Sequence, residues 1–138
     1  MGIVRILLVE DNPAHADLVI RSLARLLPSP QVIHISDGES ALNYILRQKD
    51  YTSPESSPRP NLILLDLRLP RVNGLDVLRT IKNTSDVNDI PIVVLTSSAM
   101  DEEVKEAEQA GAASYVVKPF DLNGLPKLIF KLIDVPSE

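Results

Sequence analysis

The chain has 138 residues, 44% of them hydrophobic, enough for one soluble domain with its own core, expected to span residues 1–138. Its net charge of −5 argues against general affinity for nucleic acid or anionic membranes. The lack of cysteine excludes disulfides and thiolate metal sites, and no signal peptide or apolar run of membrane-spanning length is legible, so a cytoplasmic protein is expected.

The first apolar, β-branched run covers residues 3–9 and ends in Glu10-Asp11. Residues 11–27 show helical spacing, with Ala14, Leu18, Leu23, Leu26 and Leu27 on one broad face. Asp11 or Asn12 can cap that helix, and Pro13 suits its first turn. Pro-Ser-Pro at 28–30 breaks it. A second strand is predicted over 31–36 and a second helix over about 39–49, with Ala41, Leu42, Ile45 and Leu46 apolar. Residues 50–60 hold three prolines and four serines or threonines, a composition that predicts an exposed, extended loop, long for an α/β connection. The third strand, 61–67, has the apolar core Leu62–Leu65 and carries Asp66 at its end. A loop with Pro70 and Asn73-Gly74 leads to a helix over about 75–82. The fourth strand covers 90–96, a fourth helix about 101–110 stops at Gly111, and a fifth strand covers 113–118 before Pro119. The last helix is predicted over about 122–134, with Pro126 a weak point inside its first turns.

A strand and a helix thus alternate five times, and most of the strands are nearly continuous apolar runs. That pattern predicts a parallel sheet covered by helices on both faces. Ligands of such open sheets bind beyond the carboxyl ends of the strands. That rim would carry Glu10 and Asp11, then Asp66, then Thr96 with Ser97 and Ser98, and finally Lys118. Taken singly, each has an ordinary explanation. An acid after a strand is usually a helix cap, a threonine there a β-former, a lysine before proline a solvent-facing side chain. Their joint placement on one edge is harder to assign to chance.

The residue types then suggest a chemistry. Three neighbouring carboxylates repel one another, and a hard divalent cation relieves the repulsion. Oxygen ligands without histidine or cysteine suit Mg²⁺, which keeps several waters and favours phosphate substrates. A lysine and a hydroxyl opposite the metal would bind anionic oxygens. Asp66 could then act as a carboxylate nucleophile that forms an aspartyl phosphate, with Lys118 and the metal stabilising the transferring group.

The segments LLVEDN, LILLDLRLPRVNG, VVLTSSA and YVVKPF, in that order, resemble the receiver domains of two-component response regulators (CheY-like). The likeness runs from residue 3 to about 133. It implies a flavodoxin-like (βα)5 doubly wound sheet with strand order 2-1-3-4-5. It also implies Asp66 as phosphoacceptor, Asp11 as a direct Mg²⁺ ligand, Glu10 acting more through water, and the backbone carbonyl of Arg68 as the third protein ligand. Thr96 matches the switch hydroxyl, Tyr115 the aromatic switch position, and Lys118 the phosphate-binding lysine, its bond to Pro119 expected to be cis. A narrower likeness, carried by SPRPNLILLDL and the loop before it, is to the small stand-alone regulators associated with bacterial phytochromes.

The expected function is therefore that of a phosphoacceptor switch rather than an enzyme in the ordinary sense, although such a protein promotes its own phosphorylation and dephosphorylation. Its phosphoryl donor would be a sensor histidine kinase or phosphotransfer protein, for which a bacterial phytochrome is a candidate. No output domain is expected, because the chain stops soon after the fifth helix. A homodimer could form through the fourth helix, fifth strand and fifth helix, pairing the acidic run 101–108 with Lys127 and Lys131. Two other classes compete. A Mg²⁺-dependent phosphohydrolase with an aspartyl intermediate would want a second acid two residues after Asp66, where Arg68 stands. A flavin carrier of similar topology would find its phosphate repelled by the acidic first loop, EDNPAHAD. The Arg68 side chain could slow water attack or pair with an acid. His15 is expected to meet solvent or a partner, His34 to be a packed or edge histidine, and the run 101–108 to form a solvated helix face.

Overall fold

The computed structural model describes residues 4–27, 30–48, 53, 55, 57–96, 102–117 and 125–132, with backbone alone at 26, 126, 127 and 130. In chain order the elements are β1 (Arg5–Val9), α1 (Pro13–Leu26), β2 (Gln31–Ile35), α2 (Gly38–Ile45), β3 (Leu62–Asp66), α3 (Gly74–Lys82), β4 (Ile92–Thr96), α4 (Glu102–Gln109), β5 (Ser114–Val117) and α5 (Leu125–Leu132). The strands form one sheet in the order β2-β1-β3-β4-β5, every pair parallel. This is the flavodoxin-like topology expected from the sequence.

Strand alternation divides the core into two layers. Ile63 and Leu65 of β3 face one cluster with Ala41, Tyr44 and Ile45 of α2, Val77 and Leu78 of α3, and Ala107 of α4. Leu62 and Leu64 face the other, with Ala16, Val19 and Leu23 of α1 and Leu125 and Ile129 of α5. β3 and β4 are buried along their whole length, which is why both read as unbroken apolar runs. The outer strands β2 and β5 are partly exposed.

Three local expectations need correction, and the choice of capping residue is settled. The buried stripe of α1 is Ala16, Val19, Ser22 and Leu23, whereas Ala14 and Leu18 face solvent, Leu18 being 49% exposed. Asn12 alone caps α1, accepting from the amides of Ala14 and His15 at 2.9 and 3.2 Å. α2 ends at Ile45, four residues early, because Arg47 turns left-handed (φ 54°). The segment before β3 is packed rather than exposed at Ser57 and Pro60: Ser57 is buried, and the Tyr44 hydroxyl donates to the Pro58 carbonyl at 2.8 Å. The predicted start of the last helix, at about residue 122, lies outside the described residues; the described helical span Leu125–Leu132 includes Pro126.

Candidate functional site

The carboxyl ends of β1, β3 and β4 converge on an acidic pocket. Glu10 follows β1 and is fully buried; its amide donates to the Ile35 carbonyl at 3.1 Å, which ties the strand end to β2. His34 adds a second tie, its Nε2–H donating to the Glu10 carbonyl at 2.8 Å. The Glu10 carboxylate accepts the Asn12 amide at 3.1 Å. Because Asn12 takes the capping role at α1, the exposed Asp11 carboxylate is left for the cluster.

Asp66 ends β3 at 5% exposure, in register with Leu95 of β4. One of its oxygens accepts the Arg68 amide at 2.9 Å, so the chain turns sharply around the carboxylate. The loop that follows is pressed against the core by two glycines. A Cβ on Gly74 would lie 2.2 Å from the Asp66 carbonyl oxygen, and one on Gly38 would lie 1.8 Å from the Val72 carbonyl oxygen. Gly74 also donates its amide to the Leu67 carbonyl at 3.0 Å. Only residues without a side chain allow this approach.

Glu10, Asp11 and Asp66 each bring a carboxylate oxygen to within 4.8 Å of the other two. An all-oxygen, triply anionic donor set of this kind fits a hard divalent cation of the Mg²⁺ type, and it lacks the nitrogen and sulfur ligands that softer metals favour. Thr96 ends β4, 5% exposed, with its position in register with Val117 of β5. Tyr115 stands on β5 and is 37% exposed. Lys118, the peptide bond to Pro119, Ser97 and Ser98 lie outside the described residues.

Of the two roles left open for Arg68, the geometry shows acid pairing: its Nη2 lies 3.4 Å from Glu103 Oε1 on α4. Glu102, Lys105, Glu106 and Glu108 lie on the exposed face of α4 as expected, with Glu106 reaching Arg79 of α3 at 3.2 Å. His15 is partly exposed, with Nδ1 4.0 Å from Glu10 Oε1. It does not belong to the three-residue cluster. Sequence reasoning missed Glu103, Gly38 and the His34–Glu10 contact. Each joins segments far apart in the chain, and no local spacing announces such a pairing.

The match to known proteins covers nearly the whole chain. Residues 6–130 match the family model described as the response regulator receiver domain. The response regulator Rcp1 of Synechocystis sp. is 40% identical over 124 residues, 90% of this chain and 82% of that protein. The crystal structure of the Mn²⁺-bound form of Rcp1 superposes with a TM-score of 0.81 at 37% identity, covering 97% of this chain and 99% of that one. The phosphorylated cyanobacterial phytochrome response regulator RcpA does so with a TM-score of 0.83 at 30% identity, covering 99% and 100%. The receiver domain of the sensor histidine kinase PA1611 from Pseudomonas aeruginosa, solved with magnesium in its active-site cleft, gives 0.79 at 30% identity over 95% and 98%.

Proposed function

The chain belongs to the response regulator receiver domain family, and from that premise we propose that it is a phosphoacceptor switch in which Asp66 takes the phosphoryl group. Receiver-domain response regulators are signalling proteins that exchange phosphate with histidine kinases. The observation that carries the reading here is the buried carboxylate of Asp66 at the end of the central strand, facing Glu10 and Asp11.

Each residue then has a defined task. An oxygen of Asp66 attacks phosphorus while the bond from phosphorus to the donor breaks on the opposite side. The rigid, fully paired strand β3 fixes the direction of that attack. Asp11 and Asp66 would hold Mg²⁺ directly, Glu10 would act through water, and the Arg68 carbonyl would complete the protein ligands. When bound there, the ion would supply positive charge to offset the acidic cluster and the phosphoryl oxygens. Lys118 supplies an ammonium to a phosphoryl oxygen, and the Thr96 hydroxyl moves in to donate to another. The space that Thr96 leaves beside β4 admits the Tyr115 ring, so phosphate occupancy shifts a two-state population at the surface of α4, β5 and α5.

The donor is a sensor histidine kinase, and a bacterial phytochrome fits best. Two things support this: the SPRPNLILLDL likeness, and the similarity to RcpA along the whole chain. The same surface supports a phosphorylation-dependent homodimer. Exposed ion pairs contribute only about 0–1 kcal/mol each, so apolar contacts around the exposed Tyr115 must supply most of the association energy.

Incubation with a small phosphodonor and Mg²⁺, read by intact mass, tests this function. One phosphoryl group should be added, and a chelator should prevent it. Asp11→Ala should weaken Mg²⁺ binding more than Glu10→Ala. Equal labelling with and without chelator, or equal metal affinity in all three proteins, would contradict the metal assignment.

A further inference from the structure

A second concave site lies at the other pole of the sheet. Pro60 precedes β3 and Asp66 ends it, so the strand separates the two sites. The cavity there measures about 210 Å³. Tyr44, Ile45, Val87 and Ile90 line it, and all four are buried members of the core cluster beneath α2 and α3. Its polar lining comes from Arg47, Ser57, Arg59, Thr84 and Asp86.

The wall formed by residues 57–60 is tied down on both flanks. The Tyr44 hydroxyl holds the Pro58 carbonyl, and Arg47 Nη2 donates to the Ser57 carbonyl at 3.4 Å. Across the mouth, Arg59 Nη1 donates to the Asp86 carbonyl at 2.6 Å, and its Nη2 pairs with Asp89. Protein interiors are close-packed, with few voids larger than a water molecule. An apolar cavity of ~150 Å³ accommodates benzene. The present one therefore has room for a single ring and a small head group.

Charge at the mouth selects the head group. Asp89 offsets Arg59. Arg47 forms no ion pair among the described residues, and its one hydrogen bond is long, which leaves most of its guanidinium donors available. Its left-handed backbone (φ 54°) is a conformation that side chains other than glycine rarely adopt. A planar guanidinium with available donors matches a carboxylate. We propose that this cavity is a binding site for a small aromatic carboxylate. Its ring rests on Tyr44, Ile45, Val87 and Ile90, and its carboxylate is held by Arg47. The exposed Asp86 carboxylate at the rim opposes the ligand's charge and moderates its affinity.

Titration of the full chain with benzoate, followed by amide NMR shifts, tests the site. Saturable shifts should appear at residues 44–47 and 84–90, with a dissociation constant on the order of millimolar, as expected for so small a ligand. Benzyl alcohol and benzylamine should bind at least about fivefold more weakly. Arg47 and Asp86 are exposed, so their variants should keep the dispersed spectrum of the folded chain. Arg47→Gln should weaken benzoate about tenfold and leave benzyl alcohol unchanged. Asp86→Asn should tighten benzoate about twofold. The proposal is overturned if benzoate gives no saturable shift, if benzylamine binds as well as benzoate, or if folded Arg47→Gln binds benzoate like the wild type. None of these outcomes depends on phosphorylation of Asp66.

Discussion

Asp66 is fixed by its backbone as much as by its side-chain neighbours. The Arg68 amide orients the carboxylate, and Gly74 lets the next helix start directly against the Asp66 carbonyl. A methyl group at 74 would have to displace backbone rather than a flexible side chain. Gly74→Ala is therefore expected to cost about 1–3 kcal/mol in urea unfolding, and to slow phosphoryl incorporation because the loop that turns around Asp66 must shift. Unchanged stability and unchanged incorporation would show that the loop gives way without effect. The Arg68–Glu103 pair is of a different order. Arg68 is 69% exposed, so the pair contributes at most about 1 kcal/mol, and its weight lies in tying the loop after Asp66 to α4.

Among the elements, α1 shows where periodicity is informative and where it is not. Leu18 and Leu23 are the same residue type on the same helix, yet the first is exposed and the second buried. An apolar stripe a little too wide is compatible with several rotations of a helix about its axis, and only contact with the sheet selects one. Leu23→Ala should cost about 2–5 kcal/mol, whereas Leu18→Ala should stay within about 0.5 kcal/mol, both read from urea midpoints. Similar costs would mean that the helix is rotated from its position here. The five strands and five helices, and the acidic rim, were legible because buried parallel strands are short apolar runs and their polar ends stand out. The early end of α2 and the packing of Ser57 and Pro60 were not. Both depend on ties between distant segments, such as Tyr44 to Pro58 and Arg59 to Asp89. A proline-rich composition cannot tell a solvated loop from one anchored at a few points.

The end of α3 adds a titration signature. Lys82 donates to the carbonyls of Asn88 and Ile90 at 3.0 and 2.9 Å. Burial lowers its pKa below the ordinary 10.5, and the Asp89 carboxylate opposes that shift. Between the lowered value and 10.5 the unfolded chain binds more protons than the folded one, so stability should rise with pH across that window. Below the window the full penalty of the buried charge applies. The pH dependence of the urea midpoint should therefore flatten in Lys82→Met. An identical rise in both proteins would assign it to another group.

At the scale of the whole molecule, the sheet separates two sites. The carboxyl ends of the strands gather Glu10, Asp11, Asp66 and Thr96, and the amino ends frame the cavity beneath Arg47 and Arg59. No helix among the described residues is long and apolar enough to cross a membrane. The sheet supplies rigidity at the first site, where all four neighbouring strand pairs are in parallel register. The flanking helices pack against it through the two buried apolar clusters, and exposed ion pairs such as Arg68–Glu103 and Arg79–Glu106 tie α4 to its neighbours, so that surface can shift at small cost. If Asp66 alone accepts the phosphoryl group, as proposed, the modification should map to that residue. Wild type and Asp66→Asn should be incubated with a small phosphodonor and Mg²⁺, trapped by reduction of the acyl phosphate, and mapped by peptide mass. A single modified peptide containing Asp66 is expected in the wild type and none in the folded Asp66→Asn variant; full labelling of that variant at another carboxylate would overturn the assignment.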